Sequence, residues 1–410
     1  MMKKLLPLFI SSLILNSCGE FEQKELTEGP ASKVQGQAGL TTATLGDLNS
    51  INSGTFELSK MITNIGVNVI APATTTFKNN ANDLNKKVQT FCAVAQTMTT
   101  DTNVYSVLKE ELKESFKTTM NSYHRLEAAK YGPISFNEEE LGLKIYSWPL
   151  VNACRVDLEI AKQSRNGEFE LKLNANTRGL DALEALILVE DDAHNCPRAN
   201  RLLNQWLEKT VDQRRVERCA YMKLAANDLL EQATVLEKSW DIRKDNYTLS
   251  MTAGKKPAEN IEVAKVISQA LFYLEEVVKD QKIGTGRKNC AKLTEHAADP
   301  KLAASSILEN LKGFQQVFNG ISPLTKVNGF GYDDYLRHLE FETVANDINA
   351  QTLAAISSFE DLLNNQVEIS KQDICAKFDD VRNITNILKG EFLLALGKDS
   401  APSQSQGDMD

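Results

Sequence analysis

The sequence predicts an all-α protein of two helical bundles joined by a short linker. Three observations carry that expectation. Apolar residues recur at helical spacing through most of the 410 residues. No two adjacent apolar runs show the alternation and turn dipeptides of a hairpin. The helical pattern breaks at NYTLSMTAGKKPAEN, where Thr, Gly and Pro interrupt it and separate the two halves.

At the N-terminus, MMKKLLPLFISSLILNSC sets the basic pair Lys3 and Lys4 before an apolar run from Leu5 to Leu15. That is the layout of a secretory signal peptide, assigned to residues 1–17. The run is shorter than the roughly 20 residues a bilayer crossing needs, and no later stretch approaches that length. Leu15-Asn16-Ser17-Cys18 resembles the lipobox of bacterial lipoproteins, in which the cysteine becomes the lipidated first residue. Gly19 follows, with no Asp there to suggest inner-membrane retention. The expectation is a bacterial envelope lipoprotein held on the outer membrane by its lipid, facing the periplasm or the surface. Segment 18–55 is rich in Gly, Ser, Thr, Gln and Glu; it cannot bury enough apolar surface to offset its ordering entropy and reads as a flexible tether. The tail from Ser400 has the same character, and residues 398–410 are assigned as disordered.

Between these ends the body divides into bundles over 56–244 and 258–397. In DTNVYSVLKEELKESFKTTMNSYHRLEAAK, Val104, Leu108, Leu112, Phe116 and Met120 recur every four residues, with Lys and Glu on the other side. A second long helix can run from the residues after Pro197 to about Trp240. Shorter helices suit 78–98, 148–163 and 178–190. Beyond the linker, 258–281, 300–318, 331–364 and 368–396 complete the count.

The formal charge of −9 argues against nucleic acid and against a polybasic membrane contact. Besides Cys18 there are six cysteines, Cys92, Cys154, Cys196, Cys219, Cys290 and Cys375, and none stands in a CxxC spacing. In an oxidising envelope they read as structural disulfides, with 15 pairings open. Standard catalytic signatures are missing. The four histidines, His124, His194, His296 and His338, form no HExxH, and neither GxSxG nor GxxxxGK[ST] occurs. GTGRKN has two glycines but no preceding strand, and is a loop.

In YGPISFNEEELGLKIYSWPL, residues 131–150, an aromatic-Gly-Pro at a helix end precedes a variable loop and a Trp-Pro that opens the next helix. RGLDALEALIL follows, and the two stretches together resemble the imelysin-like family, which carries Gly-x-His-x-x-Glu at the second place. HNCP with ERCAYMK, and GFGYDDYLRHLE, match more loosely. The resemblance implies two four-helix bundles with a pocket near their junction, and a binding protein associated with bacterial iron uptake or, as the family's first label has it, a peptidase. Gly179 and Glu184 match the motif, but Asp181 stands at the histidine position. The family often has cysteines at the places of Cys196 and Cys219. Along one straight helix they would stand roughly 30 Å apart, whereas a disulfide needs Cα atoms within about 7 Å. A chain folding back over 191–200 would reconcile the two, and the pairing expected beside that resemblance is Cys196 with Cys219, Cys92 with Cys154 and Cys290 with Cys375.

Asp181 and Glu184, at i and i+3, lie on one helical face and can address one cation. Two carboxylates are a hard donor set, suited to Ca, Mg, Mn or ferric iron. Further ligands would come from Glu138, Glu139, Glu140, Asp157, Asp191, Asp192 or His194. The competing expectation is structural: Asp181 faces the positive helix end and Glu184 accepts from Arg155 or Arg178. Trp148, Arg178 and Gly179 are assigned to the pocket; Trp148 also reads as a core anchor beside Tyr131, Gly132 and Pro133, with Pro149 in the first turn of a helix. His338 and Glu342, at i and i+4, read as a surface or interface pair.

Two function classes follow. One is a lipid-anchored binding protein for a metal ion or metal complex, iron or another hard cation, working beside envelope iron-uptake components. The other is a metal- or carboxylate-dependent peptidase; a scaffold or polysaccharide-contact role is a weaker third. If Cys18 carries the lipid, Cys18→Ala moves the protein from the membrane fraction to the soluble one on sedimentation; unchanged sedimentation sinks the lipoprotein assignment.

Overall fold

The computed structural model describes residues 56–97, 102–150, 152–171, 174–190, 193–196, 201–253, 255–284, 295–296 and 298–397. The signal peptide, Cys18, the tether, most of GTGRKN, Asp191, Asp192, Cys290 and the tail lie outside them. The described residues are helical without a strand; Ile321 and Asn328 form an isolated bridge. Among them no helix is long and apolar enough to cross a membrane.

The first helix begins earlier than the sequence predicted. α1 (Leu58–Asn64) runs through π-helical turns at Ile65–Ile70 into α2 (Ala71–Ala95). α3 (Thr102–Glu127) returns along α2, burying Leu112, Phe116, Met120 and Tyr123 of its apolar stripe. The short helices α4 (Phe136–Ile145), α5 (Ala153–Gln163) and α6 (Gly179–Ile187) come next in the chain. α7 (Arg201–Leu207) and α8 (Val211–Trp240) follow, and α8 packs along α2 and α6.

After α9 (Tyr247–Thr252), the second half is built from α10 (Pro257–Ala270), a π-helical stretch at Leu274–Gly284, α11 (Pro300–Phe318), α12 (Tyr332–His338), α13 (Glu342–Asn365), α14 (Lys371–Cys375), and α15 (Phe378–Ile387) with its extension to Ala395. α11 touches both halves, packing on α13 and on α3. Gly313 makes the crossing possible: a Cβ there would run into the Arg125 carbonyl of α3. One continuous apolar core runs through both bundles.

Several sequence expectations need correction. The long helix from Pro197 to Trp240 is two helices, because Thr210 and Gln213 exchange side-chain-to-backbone bonds of 3.2 and 3.0 Å and start α8 afresh. Likewise 331–364 breaks at Glu340, which takes φ +66°, so His338 and Glu342 fall on different helices and His338 stacks on Phe56 instead. Pro149 opens no helix. It follows a cis bond in a turn, and α5 starts only at Ala153, where Asn152 accepts from the Arg155 amide.

Two of the three expected disulfide pairs, Cys196 with Cys219 and Cys92 with Cys154, are also overturned. Cys92 pairs with Cys219, since α2 and α8 lie side by side and bring their Cα atoms to 5.3 Å. Cys154, in the first turn of α5, pairs with Cys196 at 4.4 Å. Cys375 is disulfide-bonded, and Cys290, its expected partner, lies outside the described residues. Non-reducing peptide mapping is therefore expected to recover Cys92 with Cys219 and Cys154 with Cys196. Replacing Cys92 and Cys219 together by Ser is expected to cost about 2–4 kcal/mol in denaturant unfolding, because a long loop is freed in the unfolded chain.

Candidate functional site

Where α3 ends against α11, the stripe of apolar residues on α3 turns polar. His124 is four residues beyond Met120 and Glu127 three beyond His124, so both point into the junction, and both are buried. The π-helical stretch sends Lys282 in from the second bundle, also wholly buried. Its Nζ lies 2.8 Å from Glu127, 3.1 Å from Glu295, 2.8 Å from Asn310 Oδ1 and 3.2 Å from Ser306 Oγ. Asn310 and Ser306 come from α11. Asn310 donates to the His124 carbonyl at 2.6 Å and to Glu127 at 2.9 Å, tying the end of α3 to the second bundle.

Glu295 and His296 complete the cluster. Glu295 accepts from Tyr146 at 3.1 Å and from Ser306 at 2.7 Å. His296 Nδ1 lies 2.9 and 3.0 Å from the two oxygens of Glu184, on α6. His124 Nδ1 lies 2.7 Å from Glu127. His124 Nδ1 also lies 3.3 Å from the Lys282 ammonium, but Glu127 is the nearer partner and a carboxylate only accepts, so a proton is assigned to each Nδ1, and the two Nε2 atoms, 3.2 Å apart, face each other. One of them must donate to the other. Burial, with Lys282 next to it, pulls His124 below the usual imidazole range. Burial also pulls on His296, but Glu184 outweighs it through charge and hydrogen bonding, with Glu295 behind, and holds His296 above that range. His296 is therefore the imidazolium and His124 the neutral acceptor. Against the cost of burial, Lys282 and the histidines hold Glu127 well below and Glu295 below the ordinary carboxylate range.

The donor atoms of His124, Glu295 and His296 lie within 4.8 Å of one another, the set among the described residues that could hold a metal ion. The fit is good in kind. Two imidazole nitrogens 3.2 Å apart can each stand about 2.1 Å from one ion, and each ring is oriented by a carboxylate on its other nitrogen.

The residues picked from the sequence fall around this cluster. Glu184 reaches it through His296, and neither Arg155 nor Arg178 serves Glu184: Arg155 pairs with Glu159 and Arg178 with Asp228 of α8. Asp181 turns the other way on α6, where its Oδ2 accepts from the Ser147 amide at 2.7 Å and the Ser147 hydroxyl at 2.5 Å. Gly179, at φ +65°, lets α6 start hard against the Lys144 and Ile145 carbonyls. Trp148 is buried in the core, its ring 5.9 Å from the Lys282 ammonium. The other acidic candidates are spread elsewhere: Glu139 pairs with Lys130, Glu140 with Lys144, and Asp157 with Asn195, while His194 accepts from the Cys196 amide. Nothing is described for the Glu138 side chain. Sequence reasoning passed over His124, Glu127, Lys282, Glu295 and His296.

The family model described as Imelysin matches residues 70–401. No curated protein matches the chain. Among solved structures, an imelysin-like protein from Psychrobacter arcticum 273-4 is 16% identical, over 84% of this chain and 97% of that one, with a TM-score of 0.59. A protein described as an iron-regulated protein A precursor, from Parabacteroides distasonis ATCC 8503, is 13% identical over 84% and 95%, with a TM-score of 0.57. At these identities the two structures speak for the fold alone.

Asp181 offers a direct test of the junction's electrostatics. Burial pushes its carboxyl from 3.8 up to about 7, against the bonds from Ser147, and its Oδ1 has no hydrogen-bond partner among the described residues. An acid whose folded pKa is raised keeps a proton that the unfolded chain releases. Stability is therefore lost as pH climbs from the unfolded value toward about 7, and the loss is complete above it. Asp181→Asn keeps an acceptor for Ser147 and removes the ionisation. It is expected to raise Tm by several degrees at pH 8 and to leave it unchanged near pH 4, read from thermal melts across that range; a variant less stable at pH 8 refutes the assignment.

Proposed function

The chain belongs to the imelysin family, and we propose that this protein is a lipid-anchored envelope protein that captures a metal ion at the bundle junction, in the service of iron uptake. The ion is held by His124 Nε2, His296 Nε2 and Glu295. The observation that carries this reading is the paired orientation of the two imidazoles: Glu127 and Glu184 each accept a hydrogen bond from an Nδ1–H, and both Nε2 atoms are left converging at 3.2 Å. In the ion's absence a single proton between the two nitrogens fills that place. Glu184 acts by orienting His296. The role in iron uptake draws on the iron-regulated description of the Parabacteroides protein, and the lipid anchor on the lipobox at Cys18.

Capture suits the site better than hydrolysis of a polypeptide. All three donors are buried, with Trp148 and Tyr273 close to the cluster, and a peptide bond would need an exposed face on which to lie. Imidazole nitrogens beside one carboxylate favour a borderline ion such as Fe2+, Co2+ or Zn2+ over Ca2+ or Mg2+.

Isothermal titration of Co2+ into the chelator-treated protein is expected to show one ion bound, with a rise in Tm because the ion binds the folded state. His124→Gln or His296→Gln is expected to abolish the heat, and Glu184→Gln to weaken binding by about 10- to 100-fold. Binding displaces the His296 proton. Below the raised pKa of His296, affinity therefore rises about tenfold per pH unit, and it levels off above that pKa. Neither heat nor a Tm shift with Co2+, Zn2+ or Fe2+ refutes the metal centre.

A further inference from the structure

A buried ammonium inside a cation site needs a reason. Like charges a few ångströms apart repel, and a buried lysine without function is costly. Lys282 cannot be dismissed as reaching for solvent: it is wholly buried, with the rings of Trp148 and Tyr273 5.9 and 5.8 Å away. Its partners are the same groups that build the centre. It lies 3.1 Å from the ligand Glu295 and 2.8 Å from Glu127, which orients His124.

The charge balance shows what the ammonium does. With both Nε2 atoms on an ion, neither imidazole keeps an extra proton. The cluster then holds three carboxylates, Glu127, Glu184 and Glu295, and one ammonium, a net charge of minus two. In a buried site an uncompensated charge is what costs most. A divalent ion brings the cluster to neutrality, whereas a trivalent ion leaves one positive charge over. Without Lys282 the balance is minus three, and the preference turns to a trivalent ion. Asp181 stays outside the count in mildly acid solution, because its carboxyl holds its proton below about pH 7.

We propose that Lys282 is a valence selector: by supplying one fixed positive charge beside Glu295 and Glu127, it makes the junction take divalent cations and refuse trivalent ones. The proposal rests on the metal-centre reading, and makes reduced rather than ferric iron the form this protein would carry.

The test uses the full-length protein at pH 6, dialysed to equilibrium against Co2+ or Ga3+, each buffered with nitrilotriacetate, with bound metal measured by elemental analysis. The readout is the ratio of Ga3+ to Co2+ affinity, in which competition from the His296 proton cancels. Native protein is expected to bind Co2+ and to bind Ga3+ far more weakly. Lys282→Met should raise the ratio about 100-fold, the effect of one unit charge a few ångströms away in a partly screened interior. Glu127→Gln, whose amide oxygen still accepts from His124, should lower the ratio by a similar factor. The double variant Lys282→Met, Glu127→Gln loses one charge of each sign and should return to the native ratio. If Lys282→Met does not fold, the Glu127→Gln and double variants decide alone. A ratio constant within about threefold across the folded variants overturns the role of Lys282 and leaves the metal centre standing. Native protein that binds neither ion overturns the centre and this proposal together.

Discussion

The ammonium of Lys282 is the constraint on which the junction depends. Two carboxylates, Glu127 from the first bundle and Glu295 from the chain after the π-helical stretch, are buried next to each other and could not both stay ionised without it. Because they stay ionised, Glu127 accepts from the Nδ1–H of His124, and Glu295 accepts from Tyr146 and Ser306. Each of these bonds fixes a side chain from a different element. A polar cluster of this kind is stable only when all its members are satisfied, and here α3, α6, the π-helical stretch and α11 must all be in place at once.

The rest of the fold works to bring those elements to one point. Gly313 removes the side chain that would keep α11 away from α3, and Asn310, one turn earlier, uses the closeness to bond the His124 carbonyl. Gly179 does the same for α6 against the end of α4, which sets Glu184 at the height of His296. The π-helical geometry of Leu274–Gly284 widens each turn, and it buries Lys279 on Glu275 while Lys282 reaches Glu127. In the first bundle the two disulfides staple α2 to α8 and α5 to the segment before α7.

Much of this was legible in the sequence, and the failures are instructive. Helical periodicity gave the class and most long helices, since burial of one face follows directly from spacing. Helix breaks were missed where a local device overrides the pattern: the Thr210–Gln213 cap and the left-handed Glu340 sit inside runs that are still apolar at the right intervals. Disulfide partners were misassigned because they depend on which helices lie side by side, and spacing along the chain is silent on that. The junction itself left a trace. The stripe Val104, Leu108, Leu112, Phe116, Met120 reaches His124 at its next step, so a titratable residue was due to be buried. Glu295 and His296 left none, for they sit in a short turn with no periodicity, placed only by tertiary contacts.

The position of Asp181 can now be understood through the same geometry. In the family pattern a histidine precedes the glutamate by three residues on this helix, and the chain has a carboxyl there instead. Glu184 meets an imidazole from elsewhere in the chain: His296 Nδ1 lies across the junction at 2.9 Å. Asp181, relieved of contact with the centre, is used to hold Ser147 and with it the turn that carries Tyr146 and Trp148, one bonded to Glu295 and the other facing Lys282. A second carboxylate ionised so near Glu184 would disturb the charge balance. Burial prevents that by keeping the Asp181 proton in place up to about neutral pH. The helix therefore retains one working anion, Glu184, and the exchange of a histidine for an aspartate is absorbed without adding a charge to the junction.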